Sequence, residues 1–257
     1  MIITKTRKDT TMIETTLYRL NEMRLYTMAD KIRHLREAGR YTSLGHDELL
    51  AFIVDAEYDT RHKKKIDRLL NLASLKMPSA CIEDINFSSK RNLFKEQLEP
   101  FTNCDYIRQH KNILLSGLTG CGKTYLACAL GHHACLNAHS VKYFRVSKFL
   151  ETMNAEQAVG NYLKAIDKIG KTELLILDDL GPDVLTRVQR NHLMEVIEER
   201  YLCGSTIVAS QLPFEQWYDV FGESTSADAI CDRLFHNGYK LKLEGDSLRK
   251  NTTKNNS

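Results

Sequence analysis

The chain has 257 residues, 42% of them hydrophobic and 27% charged, and its 36 basic against 33 acidic side chains leave a formal net charge of +3. An apolar content near the average for folded domains excludes wholesale disorder, a collagen-like repeat and a coiled-coil rod. No stretch approaches the ~18 consecutive apolar residues of a membrane span, and the first fifteen residues lack the apolar core of a secretory signal.

A cytoplasmic protein is therefore expected, of one large domain or an average one with a small module. The seven cysteines, an odd number without a CxxC pair, point to neither a zinc site nor a disulfide framework. Cys121, Cys128 and Cys135 recur every seven residues and read as buried apolar side chains.

From about residue 12 the sequence is charged, free of proline and periodic, with Leu17, Leu20, Leu25, Met28, Ile32 and Leu35 on one helical stripe and Gly39 as a stop. A second helix is expected from Asp47, with Leu49, Leu50, Ile53 and Val54 on its apolar side, running through RHKKKIDRLLNLASLK. Met77-Pro78-Ser79 breaks it, which predicts a helical module over 1–76, a main domain over 77–250 and a frayed tail over 251–257. Beyond the break, the apolar runs 112–116, 141–146, 174–179, 205–210 and 239–243 read as strands, with helical stretches near 123–137, 147–169 and 186–202 between the first four. Such alternation predicts an α/β fold with a mostly parallel sheet flanked by helices, preceded by a small all-α module.

Gly117-Leu118-Thr119-Gly120-Cys121-Gly122-Lys123-Thr124 fits G-x-x-x-x-G-K-[ST] between a strand and a helical stretch starting at Tyr125. The glycines let successive N–H groups turn inward onto phosphate oxygens at the positive end of a helix. Lys123 is placed to reach the β- and γ-phosphates of ATP, and the Thr124 hydroxyl to hold Mg2+. LLILDD, ending in Asp178 and Asp179, supplies the acidic half: Asp178 for Mg2+, Asp179 to orient or deprotonate the attacking water. The 55 residues from Lys123 to Asp178 leave room for the strand VKYFRV, an arrangement suited to ATPases that insert a strand between the two motifs. Ser210 is placed like a sensor of the γ-phosphate, and Arg233 and Arg249 are cationic candidates for stabilising charge in phosphoryl transfer.

GLTGCGKTYLACALG, LLILDDLG, STIVASQLP and DAICDRLFHNGYKLKLEGDSLRK, with the lead-in CIEDINF, resemble the IstB-like ATP-binding proteins. These are AAA+ helper ATPases of insertion-sequence transposition, related to the DnaC and DnaI helicase loaders. The resemblance implies that Arg233 is an arginine finger reaching into a neighbouring subunit and that Arg249 is a second sensor acting within its own. It also implies a homo-oligomer on double-stranded DNA that recruits or activates a transposase; a helicase loader and a scaffold that scarcely hydrolyses ATP are the competing readings. Leu118 and Cys121 depart from the usual proline and threonine or serine, and Cys121 is expected to make the site sensitive to oxidation or alkylation. For DNA contact the densest basic run is Arg61, Lys63, Lys64 and Lys65 with Arg68, suited to phosphates irrespective of sequence. A looser set is Lys31, Arg33, Arg36 and Arg40; Lys142, Arg145 and Lys148 are further candidates.

Overall fold

The computed structural model describes residues 2–181, 183–222, 225–245 and Ser247, and its contacts divide the chain into two units, Met1–Asp67 and Arg68–Ser257. In the first, the single expected stripe becomes two helices, α1 (Ile2–Glu22) and α2 (Tyr26–Glu37). The corner between them carries neither glycine nor proline; Arg24 makes it by adopting a left-handed conformation at φ 60°. Leu17, Leu20, Ile32 and Leu35 are buried together with Ile53 of α3 (His46–Ala73).

Leu25, the N-cap of α2, offers no side-chain acceptor. Glu57 of α3 takes that part, accepting from the N–H groups of Thr27 at 2.9 Å and Met28 at 3.1 Å. An acceptor for the orphan N–H groups of a first helical turn contributes about 1 kcal/mol. Arg61 holds Glu57 in place, Nε to Oε1 at 2.7 Å, and donates a second bond to the Arg24 carbonyl at 3.0 Å.

The break at Met77-Pro78-Ser79 predicts a boundary after residue 76, but the units divide before Arg68. Leu69, Ala73 and Leu75 are buried in the core of the second unit, so the last turns of α3 belong to it.

That unit continues through short 3-10 turns between Ser89 and Phe101 and through α4 (Asp105–Arg108). Then come β1 (Asn112–Ser116), α5 (Lys123–Leu136), β2 (Val141–Arg145), α6 (Val146–Ala158), α7 (Tyr162–Gly170) and β3 (Leu174–Leu180). After these follow α8 (Arg187–Arg200), β4 (Ser205–Ser210), α9 (Trp217–Phe221), α10 (Thr225–Phe235) and β5 (Gly238–Lys242). The stretch expected as one helix over 147–169 is two, parted at Gly160, which takes φ 75°. No helix among the described residues is long and apolar enough to cross a membrane.

The sheet order is β2-β3-β4-β1-β5, every neighbouring pair parallel. The strand lying between the β1 and β3 motifs is therefore β4, whereas β2 sits at the sheet's end beyond β3. Alternate residues feed opposite faces. Ile113, Leu115, Leu174 and Ile176 join α5 in one core, and Leu114, Leu175 and Leu177 join α6, α7, α8 and α10 in the other. Both faces are covered, which explains the near-continuous apolar runs of β1 and β3.

Candidate nucleotide-binding site

Residues 117–122 connect the end of β1 to the start of α5, and backbone packing dictates their glycines. Gly117, Gly120 and Gly122 take φ of 151°, 88° and 97°, in the region L side chains rarely adopt. A Cβ on Gly117 would stand 2.1 Å from the Leu243 carbonyl oxygen, and one on Gly120 2.2 Å from Ser247 Oγ. The stretch after β5 thus lies directly on the loop, fixed by the Leu243 N–H donating to the Ser116 carbonyl at 2.7 Å. From the other side the buried Arg91 donates to the Cys121 carbonyl at 2.8 Å.

The loop borders a cavity of about 710 Å3, open to solvent and lined among others by Thr119, Gly120, Gly122, Lys123, Thr124, Tyr125, Asp178 and Asp179. Two motifs 55 residues apart in sequence meet there. Lys123 Nζ donates to the carbonyls of Gly117 at 2.5 Å and Leu118 at 2.9 Å. Thr124 Oγ1 donates to Asp178 Oδ2 at 2.9 Å, and the Tyr143 hydroxyl to the same oxygen at 2.7 Å. Burial, and then the hydrogen bond to Asp178, hold the Tyr143 phenol protonated far above its ordinary range. A hydroxyl and a carboxylate in contact at the start of α5 are hard oxygen donors with room beside them for water and phosphate oxygens, a set that fits Mg2+.

Asp179 lies at an irregularity of the β3–β4 ladder, where the register shifts between Leu177 and Leu180. Bulges re-aim side chains, and Asp179 reaches the cavity with φ 63°. Aspartate tolerates the left-handed region better than the longer glutamate, which gives a physical reason for Asp here. Arg145, at the end of β2 and opposite Asp178 in the register, donates through Nε to Asp179 Oδ2 at 2.8 Å. Tyr143 and Arg145, two residues apart on one face of β2, therefore hold one acid each.

Ser210 ends β4. Its side chain is fully buried, its hydroxyl donates to the Leu180 carbonyl at 2.7 Å and accepts from the Leu212 N–H at 3.1 Å, and it does not line the cavity. The next residue, Gln211, does line it, and Gln211 Oε1 accepts from Thr119 Oγ1 at 2.9 Å. Arg233 lies outside the cavity on α10, its guanidinium 2.6 Å from Glu198 and 5.7 Å from the centre of the Tyr201 ring. Arg249 falls outside the described residues.

Cys121 is buried beneath the loop, so the expected sensitivity to alkylation does not hold for the folded chain. Cys203 is the exposed thiol among the described residues. Iodoacetamide is expected to label Cys203 first and Cys121 only after denaturation, as peptide mass analysis will show; early labelling of Cys121 would contradict the burial.

In the first unit Lys63, Lys64 and Lys65 are exposed on α3. Asp59 and Asp67 flank Lys63 at four-residue spacing and offset its charge, and Asp67 stands three residues from Lys64, which leaves Lys65 the most open cation of the three. Arg61 is committed to Glu57. In the second unit Arg68 is exposed.

Residues 18–256 match the profile of a family described as IstB-like ATP binding protein. An insertion sequence ATP-binding protein of Sinorhizobium fredii is 38% identical over 236 residues, covering 92% of this chain and 96% of the relative. The crystal structure of DnaI shares the fold with a TM-score of 0.57 at 18% identity, over 70% of this chain and 98% of that one. DnaA bound to AMPPCP and single-stranded DNA shares it with a TM-score of 0.57 at 21% identity, over 71% of this chain and 56% of that one.

Proposed function

The chain belongs to the IstB-like ATP-binding protein family, and from that premise we propose that it is an ATPase that assists a DNA transposase, assembling with further copies of itself on double-stranded DNA. The observation that carries the reading is the meeting of Lys123, Thr124, Asp178 and Asp179 on one cavity at the start of α5.

ATP entering the cavity draws Lys123 from the loop carbonyls onto the β- and γ-phosphates. Thr124 and Asp178 hold Mg2+, which when bound neutralises charge on the phosphates. Asp179, aimed by Arg145, orients the attacking water and accepts its proton. Gln211 takes the sensing role expected of Ser210, because it is the residue of that segment whose polar end reaches the phosphate loop. Arg233, outside its own cavity, completes the site of a neighbouring copy. Lys64 and Lys65 contact DNA phosphates.

Steady-state ATP hydrolysis with and without duplex DNA, and with the cognate transposase, tests this reading. Duplex of any sequence is expected to stimulate hydrolysis; a rate unaffected by both additions would remove the DNA-coupled reading. Lys64→Glu with Lys65→Glu is expected to weaken duplex binding by about tenfold or more and to lower the salt slope by about two, one for each phosphate that the protein no longer neutralises. Unchanged affinity in a fluorescence anisotropy titration would rule out that surface.

A further inference from the structure

Lys76 is exposed, lines the same cavity as Lys123, Asp178 and Asp179, and stands three residues after the end of α3. The cavity's other two cations are engaged: Lys123 with the loop carbonyls and Arg145 with Asp179. The Lys76 ammonium has no hydrogen-bond or ion-pair partner among the described residues.

Its backbone is fixed on both sides. Before it, Ser74 turns the chain at φ 54°, and Lys142 Nζ on β2 donates to the Leu72 carbonyl at 3.0 Å and to Ser74 Oγ at 3.1 Å. Leu75 is buried against α5, so close that a Cβ on Gly131 would meet its Cδ2 at 3.0 Å. After it, Ala80 is buried. The bonds from Lys142 and the packing of Leu75 beside Gly131, which also faces Ile176, set the segment next to β2 and β3, the strands that carry Arg145 and Asp178. A triphosphate with its divalent cation is net negative, so a cation held there without a partner has an occupant suited to it.

We propose that Lys76 binds the terminal phosphate of the nucleotide and makes the site discriminate nucleoside triphosphate from diphosphate. Its backbone is fixed by the turn after α3, so occupancy by a γ-phosphate fastens that turn to the phosphate-binding loop. Lys123 approaches the phosphates from the loop at the start of α5, whereas Lys76 enters the same cavity from a segment that precedes β1. The inference rests on the nucleotide-site reading above.

Lys76→Ala in the full chain, titrated in Mg2+ with ATPγS and separately with ADP, tests it. A charge-assisted contact to one phosphate predicts an affinity for ATPγS about tenfold weaker and one for ADP changed by less than about twofold. Lys76→Arg is expected to restore discrimination, and unfolding without nucleotide to be unchanged in both variants, because the side chain is exposed. An equal loss for both nucleotides, or no loss for either, overturns the proposal. If the wild-type chain binds neither nucleotide, the nucleotide-site reading itself fails, an outcome distinct from these two.

Discussion

Lys123→Ala is expected to remove nucleotide binding while leaving the fold of the second unit intact. In the structure the ammonium is satisfied by two carbonyls of its own loop, so the cost of losing it falls on the bound state. Each charge-assisted hydrogen bond to phosphate contributes about 1.5–3 kcal/mol. Two such bonds correspond to an affinity loss on the order of a hundredfold or more.

Thermal unfolding reads the same quantity independently. At a ligand concentration of about 100 times Kd the wild-type chain gains about 2.7 kcal/mol from ATP, a shift of roughly 5–10 °C for a unit of this size. The variant is expected to show almost none of it, with an unchanged midpoint in the absence of ATP. A variant that hydrolyses ATP at the wild-type rate would place the site elsewhere.

The phosphate loop is legible in the sequence because its chemistry restricts its residues. Left-handed backbone at Gly117, Gly120 and Gly122 admits few other side chains, and the flanking strand and helix are visible as local periodicity. Tyr143 and Arg145 are not legible in that way. Their roles depend on β2 pairing with β3 in a register that sets Arg145 opposite Asp178, and no pattern local to VKYFRV encodes that pairing.

Sequence alone points to Ser210 rather than Gln211 because Ser210 is the polar end of an apolar strand, and no local pattern shows that its hydroxyl turns to the Leu180 carbonyl while Gln211, one residue past β4, lines the cavity. The corner at Arg24 is hidden for another reason. A non-glycine residue in a left-handed conformation leaves no mark in composition, and the apolar spacing of Leu20, Leu25 and Met28 runs through it. Lys76 is hidden because it precedes the motif-bearing domain in sequence and enters the cavity only through the packing of Leu75 on α5.

Mixing Arg233→Ala with Asp179→Asn subunits is expected to recover hydrolysis that neither variant has alone. Asp179→Asn removes the proposed acceptor of the water's proton, and Arg233→Ala removes the proposed finger, a cation of the kind worth about 10^3-fold or more in phosphoryl transfer. The two lie apart in one chain: Asp179 on the cavity, Arg233 on α10 beside Glu198 and Tyr201. Arg233→Ala should therefore bind ATP as the wild type does. In a head-to-tail assembly, an Arg233→Ala subunit supplied with arginine by an Asp179→Asn neighbour has a complete site. Random equal mixing makes about one site in four of this kind, so about a quarter of wild-type turnover is the expected ceiling. The competing account is structural, with Arg233 serving only to tie α10 to α8 through Glu198. It predicts no recovery on mixing, and a loss of hydrolysis in Glu198→Gln as deep as in Arg233→Ala. Action in trans predicts instead that Glu198→Gln, which frees the guanidinium without removing it, keeps most of its activity. A mixing series at constant total protein, with hydrolysis measured at each ratio, decides between them: a maximum at equal proportions supports the trans site, and a curve that stays at the level of the single variants excludes it.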